Sequence, residues 1–291
     1  MTEFRARLFV ALQRLLPKYL LTALVYRIAR IRHVATKNFL ITRFVALYDV
    51  ETEEVARPVP EGFESFNDFF TRELEPDARL VDPHEDGIVS PVDGTVSAAG
   101  AIDGESVLQA KGHSYTLTDL LATDTAEVER YNGGAFATLY LAPYNYHRIH
   151  APVAGELTAL RYVPGDLYSV NAATVRHLPR LLARNERLVC HFESARGPLA
   201  LVFVGAMNVG TINSIWTGDI RPRSTGVVEE FDLRHLRADR QFARADLLGW
   251  FNFGSTVILV APPGVCDGFP TLKPGTTLCM GERIGQLIAV E

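Results

Sequence analysis

The hydrophobic pattern of this chain changes its period once, and that change limits the folds open to it. In residues 1–48 apolar side chains recur at helical spacing, as at Leu8, Leu12 and Leu15. After Gly87 the pattern becomes one of short β-type runs separated by Gly, Pro and Asn. These runs are 135–141, 187–192, 199–204 and 256–261, with helical pattern only at 118–122 and around 175–184. Helices that precede strands, instead of alternating with them, predict an α+β fold with a mainly antiparallel β domain.

This change of pattern divides the chain into three predicted segments. Residues 1–48 are predicted to form basic amphipathic helices, which Pro17 divides into two. Residues 49–86 are acidic and contain several prolines, so we expect a linker there. Residues 87–291 are predicted to form the β-rich domain.

One short helix is expected within the linker. Ser65 is placed to cap its amino terminus, because a serine hydroxyl accepts hydrogen bonds from the free N–H groups of a first turn. Phe66, Phe69 and Phe70 would form its buried face, and 72–75 its exposed end.

The charge of the chain is distributed unevenly. Residues 1–48 carry nine Lys/Arg against one acidic residue, Glu3, so this segment is +8 in a chain whose net charge is −5. A bilayer span needs about 18 apolar residues in succession. The longest stretch without a charge here runs only from Tyr19 to Tyr26, and charges also interrupt any apolar region of a signal peptide.

Helices that lie in a membrane interface, with cations toward anionic headgroups, therefore fit the first 48 residues. The alternative is a basic helical hairpin packed on its own domain or on a second subunit. Nucleic acid is a poor candidate partner, because the rest of the chain is acidic and has no interleaved basic and aromatic surface.

The cysteine content favours a reducing compartment. Cys190, Cys266 and Cys279 are odd in number and have no C-x-x-C spacing, so neither a disulfide framework nor a zinc knuckle is indicated. We expect all three to be buried small apolar residues.

Two places ahead of the last strands carry polar side chains with potential chemistry. Asp93 lies in the turn Ser90-Pro91-Val92-Asp93-Gly94, where an aspartate by itself is most often a turn residue. His147, Arg148 and His150 lie together in the segment 144–152. Imidazoles beside a cation indicate a base or an anion-binding role, and the H-x-x-H spacing also allows a metal ligand pair.

The third place is Phe253-Gly254-Ser255-Thr256, directly ahead of an apolar run. One interpretation is an ordinary turn that enters a strand. The other is a reactive serine, because glycine at 254 permits strained dihedral angles that bring the Ser255 hydroxyl toward the preceding carbonyl.

These three places together resemble the signature motifs of the phosphatidylserine decarboxylase proenzymes of bacteria. The matching residues are 90–94 (SPVDG), 146–152 (YHRIHAP) and 253–256 (FGST), with further similarity at 65–74 (SFNDFFTREL), 111–115 (KGHSY), 163–171 (VPGDLYSVN) and 183–188 (ARNERL). The resemblance extends from about residue 60 to the carboxyl terminus. The one visible departure is Phe253, where the family usually has leucine.

The resemblance implies a self-cleaving enzyme. Asp93 would orient His150, His150 would take the proton of Ser255, and the Ser255 hydroxyl would attack the carbonyl of Gly254. Elimination would then cut the chain into 1–254 and 255–291 and leave a dehydroalanine at position 255, which water would hydrolyse to a pyruvoyl group and ammonia.

The pyruvoyl group is the only cofactor that the resemblance implies, with no metal. Its carbonyl would form an imine with phosphatidylserine and accept electrons as carbon dioxide leaves. His147 would bind the substrate or transfer a proton. The implied product is phosphatidylethanolamine, and the two chains would stay together as a heterodimer that could dimerise further. We expect the enzyme to be peripheral on the cytoplasmic side of the cell membrane.

Two other classes of function are weighed against this one. A biotinyl or lipoyl carrier could share the Pro-Val turns, but it needs a lysine beside methionines, and neither Met207 nor Met280 adjoins a lysine. A metal-dependent hydrolase could use His147, His150 and Asp93 as ligands. It would leave Gly254-Ser255 and the basic amino terminus without a role.

Overall fold

The computed structural model describes residues 3–110, 113–207, 211–223 and 226–288. Lys111 and Gly112 of the 111–115 stretch therefore lie outside the described residues. Among these residues the long helices precede the strands, and the sheets are antiparallel, so the predicted α+β class is confirmed. The helices are α1 (Glu3–Leu15), α2 (Lys18–Ala29), α3 (Val34–Tyr48), α4 (Phe66–Phe70), α5 (Leu117–Leu121), α6 (Thr125–Glu129), α7 (Ala172–His177) and α8 (Leu181–Arg184).

The strands begin at Gly87 and continue to Leu287. They are β1 (Gly87–Val89), β2 (Gly94–Ala101), β3 (Ser106–Ala110), β4 (His113–Thr116), β5 (Ala135–Leu141), β6 (Arg148–His150), β7 (Gly155–Val163), β8 (Arg187–Ser194), β9 (Gly197–Val204), β10 (Ile212–Ser214), β11 (Gly218–Ile220), β12 (Glu229–Glu230), β13 (Gln241–Phe242), β14 (Leu247–Phe251), β15 (Ser255–Ala261), β16 (Cys266–Asp267), β17 (Thr277–Leu278) and β18 (Arg283–Leu287). All four predicted strand runs lie within strands of the structure.

The largest sheet has the strand order β12-β7-β8-β9-β15-β5-β2-β17, with β13 also paired to β7. Its middle strand, β15, is buried at every position, as an apolar run between two partners should be. Strands β2, β8 and β15 begin at the same end of this sheet where β5 and β9 finish. Residues just outside those strand ends therefore lie close together.

Two similar turns also contact each other. Pro91 and Pro152 occupy matching positions in the turns that lead into β2 and β7. The His150 N–H donates to the Pro91 carbonyl at 2.8 Å, and the Val89 N–H donates to the Pro152 carbonyl at 3.0 Å. The two turns thus hold each other in place.

The amino-terminal segment forms three helices, where two were predicted. Pro17 separates α1 from α2 as expected, but a second break over residues 30–33 separates α2 from α3. Among the described residues no single helix has both the length and the apolar content to cross a bilayer. The α1 and α2 helices meet those criteria only as a pair, and they are bent by 88° at their junction.

These helices present their apolar side chains outward. In α1 the buried residues are Ala6, Val10 and Gln13, and the Gln13 side chain hydrogen-bonds to Thr174 on the body. Many large apolar side chains face solvent instead, beside exposed cations such as Arg7 and Arg14. These apolar residues are Phe4, Leu8, Leu12, Leu15, Leu16, Leu20, Leu24, Ile28, Val34, Phe39 and Leu47. A surface helix of a water-soluble protein keeps most such side chains on its buried face.

The short helix α4 joins these helices to the body. Ser65 caps it as predicted, accepting a hydrogen bond from the Asp68 N–H at 3.1 Å. Phe66, Phe69 and Phe70 are buried in a small core with residues of α2 and α3. The expectation that 72–75 forms an exposed end is wrong at Arg72, which is 3% exposed, because its guanidinium bonds to backbone carbonyls behind the helix.

Two further expectations need correction. Only Cys190 is buried; Cys266 is half-buried and Cys279 is exposed, because these two lie near the edges of short strands. The helical pattern around 175–184 forms two short helices, α7 and α8, since Pro179 interrupts the backbone bonding between them.

Candidate active site

The Gly254–Ser255 junction lies at the start of the buried strand β15. Ser255 is fully buried, and its Oγ has no hydrogen-bond partner among the described residues. A buried hydroxyl without a partner is costly, which suggests that the group has a chemical role. The Phe253 ring, one residue before Gly254, stacks on Phe70 with ring centroids 4.7 Å apart.

Gly254 is important for the space it leaves and not for strain. Its φ is not in the left-handed region, so the expected strained backbone is not observed. A Cβ at this position would lie 3.2 Å from the Leu141 carbonyl oxygen, closer than such contacts usually are. Glycine therefore lets the peptide between residues 254 and 255 lie against β5.

His147 presents a free basic nitrogen inside the protein. Its Nδ1 donates to the Asn145 carbonyl at 2.8 Å, because a carbonyl can only accept, and this fixes Nε2 as the unprotonated nitrogen. Nε2 has no partner among the described residues. Burial, aided by the charge of Arg72, lowers the pKa of His147 to about 3, so the ring is neutral at pH 7. The ring packs on Phe70 at 4.2 Å between centroids.

His150 is held in the same tautomer by different partners. Its Nδ1 donates to the Ala245 carbonyl at 2.7 Å, and its Nε2 accepts from the Tyr146 hydroxyl at 2.9 Å. Burial is the main cause that lowers the pKa of His150. A neutral imidazole with Nε2 as acceptor has the form that a general base requires.

Asp93 is near His150 but is not hydrogen-bonded to it. Its two carboxylate oxygens accept from Arg79 at 2.6 to 3.1 Å, and Oδ1 also accepts from the Met280 N–H at 2.8 Å. Its negative charge nevertheless favours protonation of His150, opposing the effect of burial on that pKa. Asp93 and His150 therefore lie close together, but no hydrogen bond joins Asp93, His150 and Ser255 into a relay in this structure.

Two arginines of this region were not identified from the sequence. Arg79 pairs with both Asp93 and Glu54, and Arg72 donates to the Tyr144 carbonyl at 2.9 Å. Burial lowers the pKa of Arg72 to about 10, which leaves it cationic at pH 7. The only signal in the sequence was that Arg72 lies two residues after Phe70, the last of three buried aromatic residues.

Arg148, which the sequence placed beside the two histidines, pairs with an acid. Its Nη2 lies 2.9 Å from Glu73, and its Nε donates to the Thr71 carbonyl. A metal site has no support here, since no group of three or more His, Cys, Asp or Glu side chains within the described ranges could hold an ion. The metal-dependent hydrolase is therefore left without a ligand set.

Comparison with known proteins identifies the family to which this chain is similar. Residues 66–286 match the family model described as phosphatidylserine decarboxylase, and residues 8–49 match a second model, PSD. A phosphatidylserine decarboxylase proenzyme of Saccharophagus degradans is 42% identical over 96% of this chain and 97% of its own length. The proteins of the same name from Methylococcus capsulatus and Verminephrobacter eiseniae are 42% and 43% identical, over 96% and 97% of this chain and 96% and 99% of their own lengths.

Proposed function

This chain belongs to the phosphatidylserine decarboxylase family, and we propose that it decarboxylates phosphatidylserine with a pyruvoyl group made from its own Ser255. Family membership makes the protein a decarboxylase, a lyase of the proenzyme type. The observation that carries the finer proposal is the buried, unpartnered Ser255 hydroxyl directly after Gly254. A pyruvoyl group there would supply a ketone that captures the substrate amine and accepts electrons as carbon dioxide leaves.

Self-cleavage requires a base for the Ser255 hydroxyl. We assign this role to His150, whose neutral ring carries its lone pair on Nε2. In the uncut chain Tyr146 occupies that lone pair, so the tyrosine hydroxyl has to move aside before Ser255 can donate. Asp93 would then stabilise the imidazolium by its charge.

His147 has a separate role in this proposal. Its Nε2 is buried without a partner among the described residues, and the neutral ring, packed on Phe70, can accept a proton or a hydrogen bond from the substrate. We assign it to substrate binding or proton transfer during decarboxylation.

The outward apolar side chains of α1, α2 and α3 fit a membrane surface. A cavity of about 270 Å³ lies between α2 and α3 and is lined by Ile28, Leu40 and Phe44, and also by Phe253 next to the junction. An acyl chain that left the bilayer between these helices would thus lie close to the cleavage site. We propose peripheral binding on the cytoplasmic side of the membrane, where cations meet anionic headgroups.

After cleavage the two chains would remain joined without a covalent link. Strand β15, now the amino terminus of 255–291, pairs with β9 on one side and β5 on the other. Strand β18 of the same small chain pairs with β1 of the large chain. These ladders support a stable heterodimer.

Intact-mass analysis of the purified protein tests the proposal. We expect two chains, 1–254 and 255–291, with a keto-bearing residue at position 255. Ser255→Ala should give one uncut chain without decarboxylase activity, and Ser97→Ala on β2 serves as a matched control that is cut normally. An active preparation with only full-length, unmodified chain would contradict the proposal.

A further inference from the structure

A buried carboxylate close to the junction has no role in the scheme above. Glu186 directly precedes β8 and is fully buried. Its Oε2 accepts a hydrogen bond from the Tyr162 hydroxyl at 2.7 Å, while Oε1 has no partner within the described part of the chain. An isolated buried carboxylate is expensive, so a structural role alone explains it poorly.

Strand register places Glu186 in the same cross-strand row as Ser255. Arg187 pairs with Val204, and Val204 pairs with Thr256. One step further along the same register, Gly205 lies between Glu186 and Ser255. Residues directly opposite each other in antiparallel strands point to the same face, so the Glu186 and Ser255 side chains share a face with only a glycine between them.

Glu186 occupies the space above that glycine. A Cβ added to Gly205 would lie 2.8 Å from both Cγ and Oε1 of Glu186. The carboxylate therefore extends over Gly205 from β8 toward β15. Any side chain at position 205 would displace it.

The hydrogen bonds of Gly205 show which part of Ser255 faces this carboxylate. The Gly205 N–H donates to the Glu186 carbonyl at 2.9 Å, and the Gly205 carbonyl accepts from the Asn185 side chain at 2.8 Å. Both groups point toward β8, so Gly205 and Ser255 form a pair without mutual hydrogen bonds. In such pairs the Cα atoms are about 4.5 Å apart and their hydrogens point at each other. The Cα–H of Ser255 thus points toward Gly205 and Glu186.

We propose that Glu186 is the base that removes the Cα proton of Ser255 in the elimination that cuts the chain. This inference rests on the proposed function. It assigns a base to the removal of the Cα proton, whereas His150 is assigned to the Ser255 hydroxyl. Attack by Oγ first gives an ester between Ser255 and Gly254 and frees the Ser255 nitrogen. The Cα–H electron pair then becomes a Cα–Cβ double bond, the Cβ–Oγ bond breaks, and Gly254 leaves as a carboxylate that carries Oγ. The proton passes to Glu186.

The two bases would approach residue 255 from opposite flanks. Asp93 directly precedes β2, and the His150 N–H bonds to Pro91 in the same turn, whereas Glu186 directly precedes β8; β2 and β8 lie on opposite sides of β15. Burial raises the pKa of Glu186 to about 7, close to the value at which a base at neutral pH is most effective. The titratable and charged groups around it are Tyr162 on β7, Arg223, Tyr19 on α2 and, beyond Tyr19, Asp166.

Glu186→Gln tests the proposal with little change in size, since the amide can still accept from Tyr162. We expect cleavage to slow by about a hundredfold or more and the ester to accumulate. Hydroxylamine, which cleaves esters, should then release a chain 255–291 that begins with an unmodified serine, whereas the wild-type small chain begins with a keto group. Mass spectrometry distinguishes the two. Glu193→Gln, at the other end of the same strand, is the matched control.

Gly205→Ala is a second variant, which keeps every functional group and only moves the carboxylate. It should also slow cleavage and accumulate the hydroxylamine-sensitive ester. Wild-type cleavage rates in both variants would overturn the proposal, and so would uncut Glu186→Gln protein that resists hydroxylamine while its circular dichroism is native. If Glu186→Gln fails to fold, Gly205→Ala decides. If only the role assigned to Glu186 is wrong, the wild-type protein still gives the two expected chains. Cleavage of the Ser255→Ala variant would instead refute the proposed function itself.

Discussion

The outward leucines of α1 and α2 give the membrane proposal a quantitative test. Leu12, Leu15 and Leu20 are 50%, 82% and 68% exposed. Full burial of a leucine side chain is worth about 2 kcal/mol, so the exposed fractions of these three should contribute about 4 kcal/mol when they enter a bilayer. Replacing all three by serine should therefore weaken binding to anionic vesicles by about a thousandfold. Vesicle sedimentation at fixed salt measures the change.

The control for this experiment is another exposed leucine on the same molecule. Leu80 is 80% exposed but belongs to none of the three helices, and its backbone lies beside Gly281 of the body, so Leu80→Ser should leave vesicle binding unchanged. Because the three helix leucines face solvent, the triple variant should fold and cut itself normally. Vesicle binding equal to that of the wild type would refute the idea that these helices dock on the membrane.

Two further predictions concern carboxylates. Burial raises the folded-state pKa of Glu186 from 4.5 to about 7, so its stabilising contribution is complete below pH 4.5 and is lost as the pH rises through 7. The test compares two uncut proteins, Ser255→Ala and Ser255→Ala with Glu186→Gln. Between pH 4.5 and pH 7 and above, the free energy of unfolding of the first should fall by about 3 kcal/mol relative to that of the second. A difference that stays constant with pH in denaturant titrations would contradict this prediction. Asp93→Asn should slow self-cleavage by about a hundredfold in a gel time course, because the charge that supports His150 is lost. Asp82→Asn is its control, and an unchanged rate for Asp93→Asn would remove that residue from the relay.

The strands of the body could be predicted because their pattern is local. The run 135–141 coincides with β5, and the run 256–261 misses only the first residue of β15. Central strands buried on both faces are continuous apolar runs, and turns with Gly and Pro mark their ends. The amino-terminal helices were placed correctly as far as Pro17, but the break at 30–33 contains neither proline nor glycine, so the sequence has no sign of it.

The candidate site was less predictable from sequence, because burial decides what its side chains do. Arg72, Arg79 and Glu186 are ordinary charged residues in the sequence, and charged residues are usually exposed. Only the tertiary structure shows that Arg72 is buried behind α4 and that Glu186 extends over Gly205. The sequence identified both histidines as candidate site residues, but it could not show that their Nε2 atoms have different hydrogen-bond partners. Tyr146 occupies Nε2 of His150, whereas Nε2 of His147 is free.

The Gly254–Ser255 junction lies where the chain can be both held in place and free to distort. Self-cleavage needs the reacting atoms held rigidly, yet the peptide must also distort as its bonds change. Ser255 is the first residue of β15, so it is fixed by its pairing with Leu141, while Gly254 already lies outside the strand. The cut therefore falls at the boundary of the sheet, at the first paired residue of β15. A junction even two residues further along would lie within the paired strand, where the same reaction would require β15 to separate from both neighbours.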